Sequence, residues 1–486
     1  MKYFFRILGL LFLVLVVVLL VRSFSLKSKQ ILPQEIELKK LRPAAIPTFR
    51  QAIRSPTIST SSEIDTTAFI LLDSLIDTSF VLLDSLLEHS KINTYSSIYH
   101  WRGSNPELKP ILLLAHKDVV PVGPEQKSKW IHPPFGGVIE KDTLYGRGSL
   151  DDKFSLFAIL EAAELLLMES FQPERSIYFA FGHDEESGGL NGAVAMANYF
   201  ETRGIEFEFI LDEGLLVLED ALPGLKEPAC LIGIAEKGYA SFDLRVSLEQ
   251  GGHSSMPPRE TAIGRLSRAI HLLEQYPFPA DLSGVPEKTF SYLAPEMNFF
   301  RRMVLANTWL TEGILVRQLE NKASTNALIR TTLAPTIIKG GFKENVLPDE
   351  ALATVNARIK PGESIESTLQ GIKATIDDPL VEVSLSPSAQ HTEPPDISSA
   401  TSLGFNVIQK TAKSVWPKAV VAPSLLVATT DSRYYTQLTE QTFRFLPIQL
   451  SNEDLHKIHG VNEQIALDDY KRAVNFYYQL FLNAAG

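Results

Sequence analysis

Cysteine is almost absent: Cys230 stands alone among 486 residues. An internal disulfide is thereby excluded, and so is a metal site built on thiolates. Any bound metal must be held by His, Asp and Glu. An excess of positive charge is missing as well. Asp and Glu outnumber Lys and Arg by 57 to 46, giving a net charge of −11. No basic run or aromatic-interleaved patch offsets this balance, which excludes a nucleic-acid-binding surface. Long apolar runs are confined to the N-terminus; the remaining composition is that of an ordinary globular protein with room for two or three domains.

At that N-terminus, Lys2 and Arg6 precede an uninterrupted apolar stretch from Ile7 to Val21, and Arg22 follows it. The stretch spans roughly 23 Å as a helix, short of a ~30 Å hydrocarbon core. Phe4, Phe5 and snorkelling arginines at 6 and 22 extend it. The segment after it, Arg22-Ser-Phe-Ser-Leu-Lys27, lacks a small-x-small cleavage site, so residues 1–25 read as an uncleaved single-pass anchor. A cleaved secretory signal is the alternative. Positive residues flank both sides and leave the orientation open; the expected arrangement has the rest of the chain outside the cytoplasm or, after cleavage, secreted.

Residues 26–47 read as a polar, proline-containing tether, and the Ser/Thr-rich residues 55–64 as a loop. From about Thr67 to Glu88 one amphipathic helix is expected, since Leu-Leu-Asp-Ser-Leu recurs after 11 residues, close to three turns. Apolar runs ending in polar clusters follow: Ile111–Ala115 before His116-Lys-Asp118, Ser176–Phe181 before Gly182-His-Asp-Glu-Glu186, and Phe207–Leu211 before Asp212-Glu-Gly214. Such runs alternating with helical segments indicate an α/β domain with a largely parallel sheet, whose sites lie beyond the carboxyl ends of the strands. From Lys237 the pattern becomes that of a separate α+β insert. It has strands near Tyr239–Leu248, Leu328–Ile338 and Ala351–Ile359, helices after Thr261 and Gly362, and an aromatic stretch around Phe290–Leu305. The expected division is 48–236 with 389–486 as one domain and 237–388 as the insert.

Between the first two strand clusters lies Tyr145-Gly-Arg-Gly-Ser-Leu-Asp-Asp-Lys153, running into a helix with Leu156, Ile159, Leu160, Ala163 and Leu167 on one stripe. Asp151 and Asp152 fall at the N-terminus of that helix, where either carboxylate suits the positive end of the dipole. Together with His116, Asp118, Glu185, Glu186 and Asp212, however, they would crowd one sheet edge with like charges. A cation resolves the crowding. Imidazole and carboxylate ligands without thiolate suit Zn²⁺, with Mn²⁺ or Co²⁺ as alternatives. A further imidazole should come from the C-terminal half, where His456 and His459 are the candidates.

These motifs, in this order, resemble the di-zinc metallopeptidases that include aminoacylase, acetylornithine deacetylase and Gly-X carboxypeptidase. The resemblance is strongest to the carboxypeptidase S branch with its N-fatty-acyl-amino-acid synthase/hydrolases. It runs from about Ala45 to the C-terminus and includes Ala115–Pro121, Tyr145–Lys153, Gly182–Gly188, Gly252–Ser255, Gly340–Pro348, Asn356–Arg358 and Thr430–Arg433. It implies a zinc-peptidase-like catalytic domain with an inserted lid domain of the dimerising type. It further implies two Zn²⁺ ions: one on His116 and Asp212, one on Glu186 and His459, with Asp151 bridging them. Glu185 would be the general base, Asp118 would orient His116, and His253 would polarise the scissile carbonyl, often in the partner subunit. Arg358, with Asn326 and Arg433 near it, would meet a substrate carboxylate. The implied substrates are N-acyl-amino acids or short peptides. The aromatic stretch around Phe299 and Phe300 is a candidate acyl pocket, and Asp152 is expected to cap the helix.

Overall fold

The structure, a computed structural model, describes residues 1–60, 64–221, 224–249 and 251–486. The loop expected at 55–64 is therefore described except for 61–63.

Eight strands form the central sheet in the order Glu88–Ile92, Ser96–Trp101, Ile177–Gly182, Ile111–His116, Phe209–Leu218, Thr442–Leu450, Ala229–Glu236, Val420–Leu426. The four from Ile177–Gly182 to Thr442–Leu450 run parallel to one another and meet an antiparallel neighbour on each side; the last two strands, Ala229–Glu236 and Val420–Leu426, are parallel to each other. Ile111–His116 and Ile177–Gly182 are buried at every residue, as parallel strands covered on both faces must be. The fold is α/β with a mixed, largely parallel sheet.

The helix after Asp152 spans Lys153–Met168 and is buried almost all round, not on one stripe. It lies between the central sheet and the helices Ala45–Ile53, Val81–Leu86 and Leu467–Ala485. Its two acidic positions show how buried charge is tolerated there. Glu161 pairs with Arg42 at 2.7 Å, and Glu164 accepts the backbone N–H groups of Leu82 and Leu83 at 3.1 and 2.9 Å. The same contacts divide the single helix expected over 67–88 into Thr66–Ser79 and Val81–Leu86. Glu164 satisfies the free N-terminus of the second piece, and Arg42 donates to the Ser79 carbonyl at 3.0 Å. Phe80 is buried at the break.

The tether is pinned to the domain. Gln30 exchanges hydrogen bonds with both backbone groups of Val421, at 2.8 Å each, on the outermost strand, and Lys39 N–H donates to Asn475 at 2.6 Å. A side-chain amide thus closes part of an open sheet edge.

A second sheet of four antiparallel strands runs Thr332–Gly340, Glu350–Ile359, Gly238–Ser247, Glu382–Leu385. Every second residue of Glu350–Ile359 is buried, so one face meets the helices Ala262–Gln275 and Ile365–Ile376 around Leu244, Leu266, Val355 and Ile372. The helices between the halves of this unit behave differently from the expected single insert. Val285–Leu293 packs on the strand Val420–Leu426, and Tyr292, Leu293 and Met297 belong to the core of the central sheet. Phe299 and Phe300 face outward, Phe300 with 74% of its surface exposed, and the Phe299 ring lies 5.5 Å from that of Phe24. The aromatic stretch is thus divided between core and surface.

Lys2–Ser25 is one helix of 24 residues, about 36 Å long, and none of its apolar window is buried.

Candidate metal centre

The parallel strands deliver their polar residues to one edge. His116 is the last residue of its strand, and Glu185 and Glu186 begin a turn three residues beyond Gly182. Nearby, Gly148 has φ 86°, and a Cβ there would stand 2.9 Å from Val119, so only glycine passes the loop that brings Asp151 in. The Asp151–Asp152 peptide is cis.

Two clusters share Asp151. His116, Asp151 and Glu213 have donor atoms within 4.8 Å of one another, and so do Asp151, Glu186 and His459. Asp151 Oδ1 lies 2.9 Å from His116 Nε2, and its Oδ2 lies 2.9 Å from His459 Nε2, so its two oxygens face opposite ways, as a bridging carboxylate requires.

The hydrogen bonding tests whether cations fit. His116 Nδ1 faces the Asp118 backbone carbonyl at 3.1 Å and the Asp118 carboxylate at 3.3 Å, which fixes the proton on that nitrogen. Nε2 then presents a lone pair to carboxylate oxygens of Asp151 at 2.9 Å and Glu213 at 3.5 Å. A lone pair among anionic oxygens needs a positive ion. At the other cluster, His459 Nε2 faces Asp151 at 2.9 Å and Glu186 at 3.2 Å, two acceptors for one nitrogen, and Glu186 Oε1 is buried without a hydrogen bond. The donor set fits two metal ions.

Electrostatics agree. Burial, then Asp151 and Asp152, push the Glu213 carboxyl well above its usual range. Burial opposes charge on His116, but Glu213, Asp118 and Asp151 outweigh it and hold the imidazole well above its ordinary value. The neighbouring carboxylates, Asp151 first and then Glu186, raise His459 to about 10. Protons are retained where cations would sit.

Asp212 is not in either cluster. Its oxygens accept the N–H of Ser432 at 2.8 Å and of Glu213 at 2.9 Å, which anchors the turn Asp431–Tyr435. The cause is a bulge: Asp212 pairs with Arg444, yet Leu215 pairs with the next residue, Phe445, leaving Glu213 and Gly214 extra. Gly214 has φ 147°, and a Cβ there would meet Arg444 at 2.7 Å. Sequence reasoning missed Glu213 although it sits in the motif, because a bulge decides which member of an Asp-Glu pair faces the site.

Asp118 is fully buried and joins the ligand loops. Its carboxylate accepts the N–H of Glu185 at 3.2 Å and of Glu186 at 3.1 Å, and the Ser59 hydroxyl. Burial and then Asp431 raise Glu185, and His116, then Arg433, oppose them. Asp152 occupies the N-cap position without capping; its Oδ2 accepts the His116 N–H at 3.3 Å. It supports the ligand strand instead of the helix.

A second support went unassigned in the sequence. Glu463, fully buried, pairs with Arg147 at 2.6 Å and accepts the N–H of Leu150 at 2.7 Å and Asp151 at 3.3 Å. Arg147 also donates to the carbonyls of His459 at 3.0 Å and Gly460 at 3.2 Å, holding His459 at φ 57°. The Asp151 and His459 loops are thus tied together. His456 is exposed and turned to the Glu453 carbonyl, outside both clusters.

Arg433 donates to the Thr430 carbonyl at 3.0 Å, beside Tyr434. Arg358 lies 4.7 Å over the Tyr239 ring with Nη1 buried and unpartnered; burial and then the repulsion of Arg433 lower its pKa. Asn326 Oδ1 is likewise buried without a partner. His253 stands elsewhere, exposed on a two-residue strand paired with Val346–Leu347, its Nδ1 2.8 Å from Ser255.

The profile of peptidase family M20/M25/M40 matches residues 112–483. A probable carboxypeptidase S-like 2 of Dictyostelium discoideum is 46% identical over 394 residues, covering 81% of this chain and 75% of its own length. The N-fatty-acyl-amino acid synthase/hydrolase PM20D1 of Homo sapiens is 40% identical over 451 residues, covering 92% and 89%. Among solved structures, the M20 family metallo-carboxypeptidase Sso-CP2 of Sulfolobus solfataricus superposes with a TM-score of 0.64 at 19% identity, over 90% of this chain and 99% of that one.

Proposed function

Because this chain belongs to peptidase family M20/M25/M40 and is an enzyme of the metallopeptidase and amidohydrolase type, we propose that it cleaves an amide bond next to a free carboxylate in N-acyl-amino acids or short peptides, using two Zn²⁺ ions. The observation that carries the reading is the pair of clusters sharing Asp151. His116 and Glu213 would hold one ion and Glu186 and His459 the other; Glu213 replaces Asp212 in the expected set because its carboxylate, not that of Asp212, faces His116. When bound, the ions supply Lewis acidity that polarises the carbonyl and activates water near neutral pH.

Glu185 takes the proton of the attacking water and delivers it to the leaving amine. Its raised pKa suits a group that must both accept and return a proton. Asp118 holds the backbone of Glu185 and Glu186 in place. Arg358, Arg433 and Asn326 bind the substrate carboxylate; the unpartnered Nη1 of Arg358 and its repulsion by Arg433 support an anion between the guanidinium groups. His253 acts as an oxyanion donor across a homodimer of lid domains, a reading supported by its exposure. Residues 237–388 supply that lid, and 48–236 with 389–486 the catalytic domain. Residues 1–25 anchor the chain with the catalytic domain on the extracytoplasmic side; cleavage of the segment and secretion is the alternative. Synthesis of the same amide is the reverse reaction at the same groups.

The test compares an N-acyl-amino acid with its carboxamide, before and after chelation. Hydrolysis should require the free carboxylate, stop with chelation and return with Zn²⁺. Equal turnover of the carboxamide would refute the proposed specificity.

A further inference from the structure

The helices Phe299–Ala306 and Thr308–Glu320 carry an apolar face that points away from the protein. On the second helix, Leu315 is buried and Leu319 packs beside it, while Trp309, Leu310 and Ile314 are 55%, 49% and 67% exposed. On the first, Phe300 is 74% exposed. A helix at a water-facing surface should turn polar residues outward, and contiguous exposed apolar side chains mark an interaction site.

What covers this face is indicated by its neighbour. The junction of the two helices is fastened to the N-terminal helix Lys2–Ser25. Asn307 Nδ2 donates to the Leu19 carbonyl at 3.2 Å, Arg22 Nε donates to the Ala306 carbonyl at 3.2 Å, and Phe24 meets Phe299. Leu19 lies about 9 Å before the end of a helix about 36 Å long, so the junction is held at the level where the apolar segment gives way to polar chain. Trp309 stands two residues from that junction, its indole N–H turned to Asn307 Oδ1 at 3.4 Å. Tryptophan with an apolar body and one polar tip favours the membrane–water boundary.

We infer that Phe300, Trp309, Leu310 and Ile314 dock on a phospholipid bilayer, inserting into the boundary between headgroups and acyl chains beside the N-terminal helix. The inference rests on that helix being a retained membrane span. The contact gives the catalytic domain a second attachment to the membrane, in the orientation that the fastened N-terminal helix and the pinned tether already set.

Tryptophan fluorescence provides the test. The chain has four tryptophans, and Trp101, Trp130 and Trp416 are only 4%, 9% and 5% exposed. The full chain is placed in nanodiscs of phosphatidylcholine with brominated or unbrominated acyl chains. Brominated lipid should quench part of the emission; Trp309→Phe should abolish that loss, and Ile314→Glu should reduce it while leaving hydrolysis of a short acyl substrate unchanged. Quenching absent, or present but unmoved by Trp309→Phe, in protein shown to be in the disc would overturn the inference and leave the face to water or to a protein partner. A chain that does not enter the disc would also overturn it, through the N-terminal helix. Hydrolysis measured on the same sample reports separately on the amidohydrolase reading.

Discussion

Exchanging the adjacent carboxylates Asp212 and Glu213 one at a time should give two different proteins. Glu213 Oε1 is 3.5 Å from His116 Nε2 and within 4.8 Å of the Asp151 donor atom, whereas Asp212 accepts the Ser432 N–H at 2.8 Å. Loss of a group that merely orients a metal ligand costs about 10–100-fold in affinity, so loss of a direct donor should cost at least ~100-fold. Glu213→Gln should therefore leave one ion after desalting against a weak chelator, with the fold intact. Asp212→Asn should keep two ions. It turns an amide N–H₂ toward one of the two N–H donors, and an unsatisfied buried group costs about 1–3 kcal/mol. Its signature is a lowered unfolding midpoint. Metal content by mass spectrometry and thermal unfolding on the same preparations separate the cases. Two ions in Glu213→Gln with one in Asp212→Asn would refute the bulge-based choice of ligand.

Asp151→Asn should lose both ions together, since both of its oxygens face imidazoles at 2.9 Å; metal analysis showing a single vacancy would exclude the bridge. Arg147→Met should cost about 3–5 kcal/mol by leaving the buried Glu463 unpaired, read in denaturant unfolding, and should weaken metal binding because the His459 loop loses its tie. Lys237 is buried, donates to the Arg330 carbonyl at 2.8 Å, and has its pKa lowered to about 7 by burial. Between that value and its usual 10.5 the unfolded chain binds the extra proton, so its contribution to stability rises with pH, by up to about 1.4 kcal/mol per unit, and is flat below. Unfolding followed from pH 7 to 10 should show this slope in the wild type and lose it in Lys237→Met.

Much of this arrangement was legible in the sequence because strand periodicity and motif order act together. Burial of every residue in Ile111–His116 and Ile177–Gly182 leaves a plain apolar run, and the polar residue that follows must lie at the sheet edge. Three features were not legible, each for a tertiary reason. The helix break at Phe80 depends on Glu164 reaching 81 residues back to Leu83. That Glu213, and not Asp212, faces His116 depends on a bulge opposite Arg444 and Phe445. The support given by Arg147 and Glu463 joins loops 316 residues apart. Asp152 shows the limit of local rules: it occupies a capping position, yet its carboxylate turns to the backbone of His116.

The central claim, water-mediated amide hydrolysis with Glu185 as the proton carrier, is tested most directly by Glu185→Gln in metal-loaded enzyme. Glu185 touches neither cluster as a donor, so the variant should retain both ions and its unfolding midpoint. Its kcat on an N-acyl-amino acid should fall by about 10²–10⁴-fold, the usual contribution of a general acid–base group. Undiminished turnover in a variant with both ions bound would contradict the mechanism.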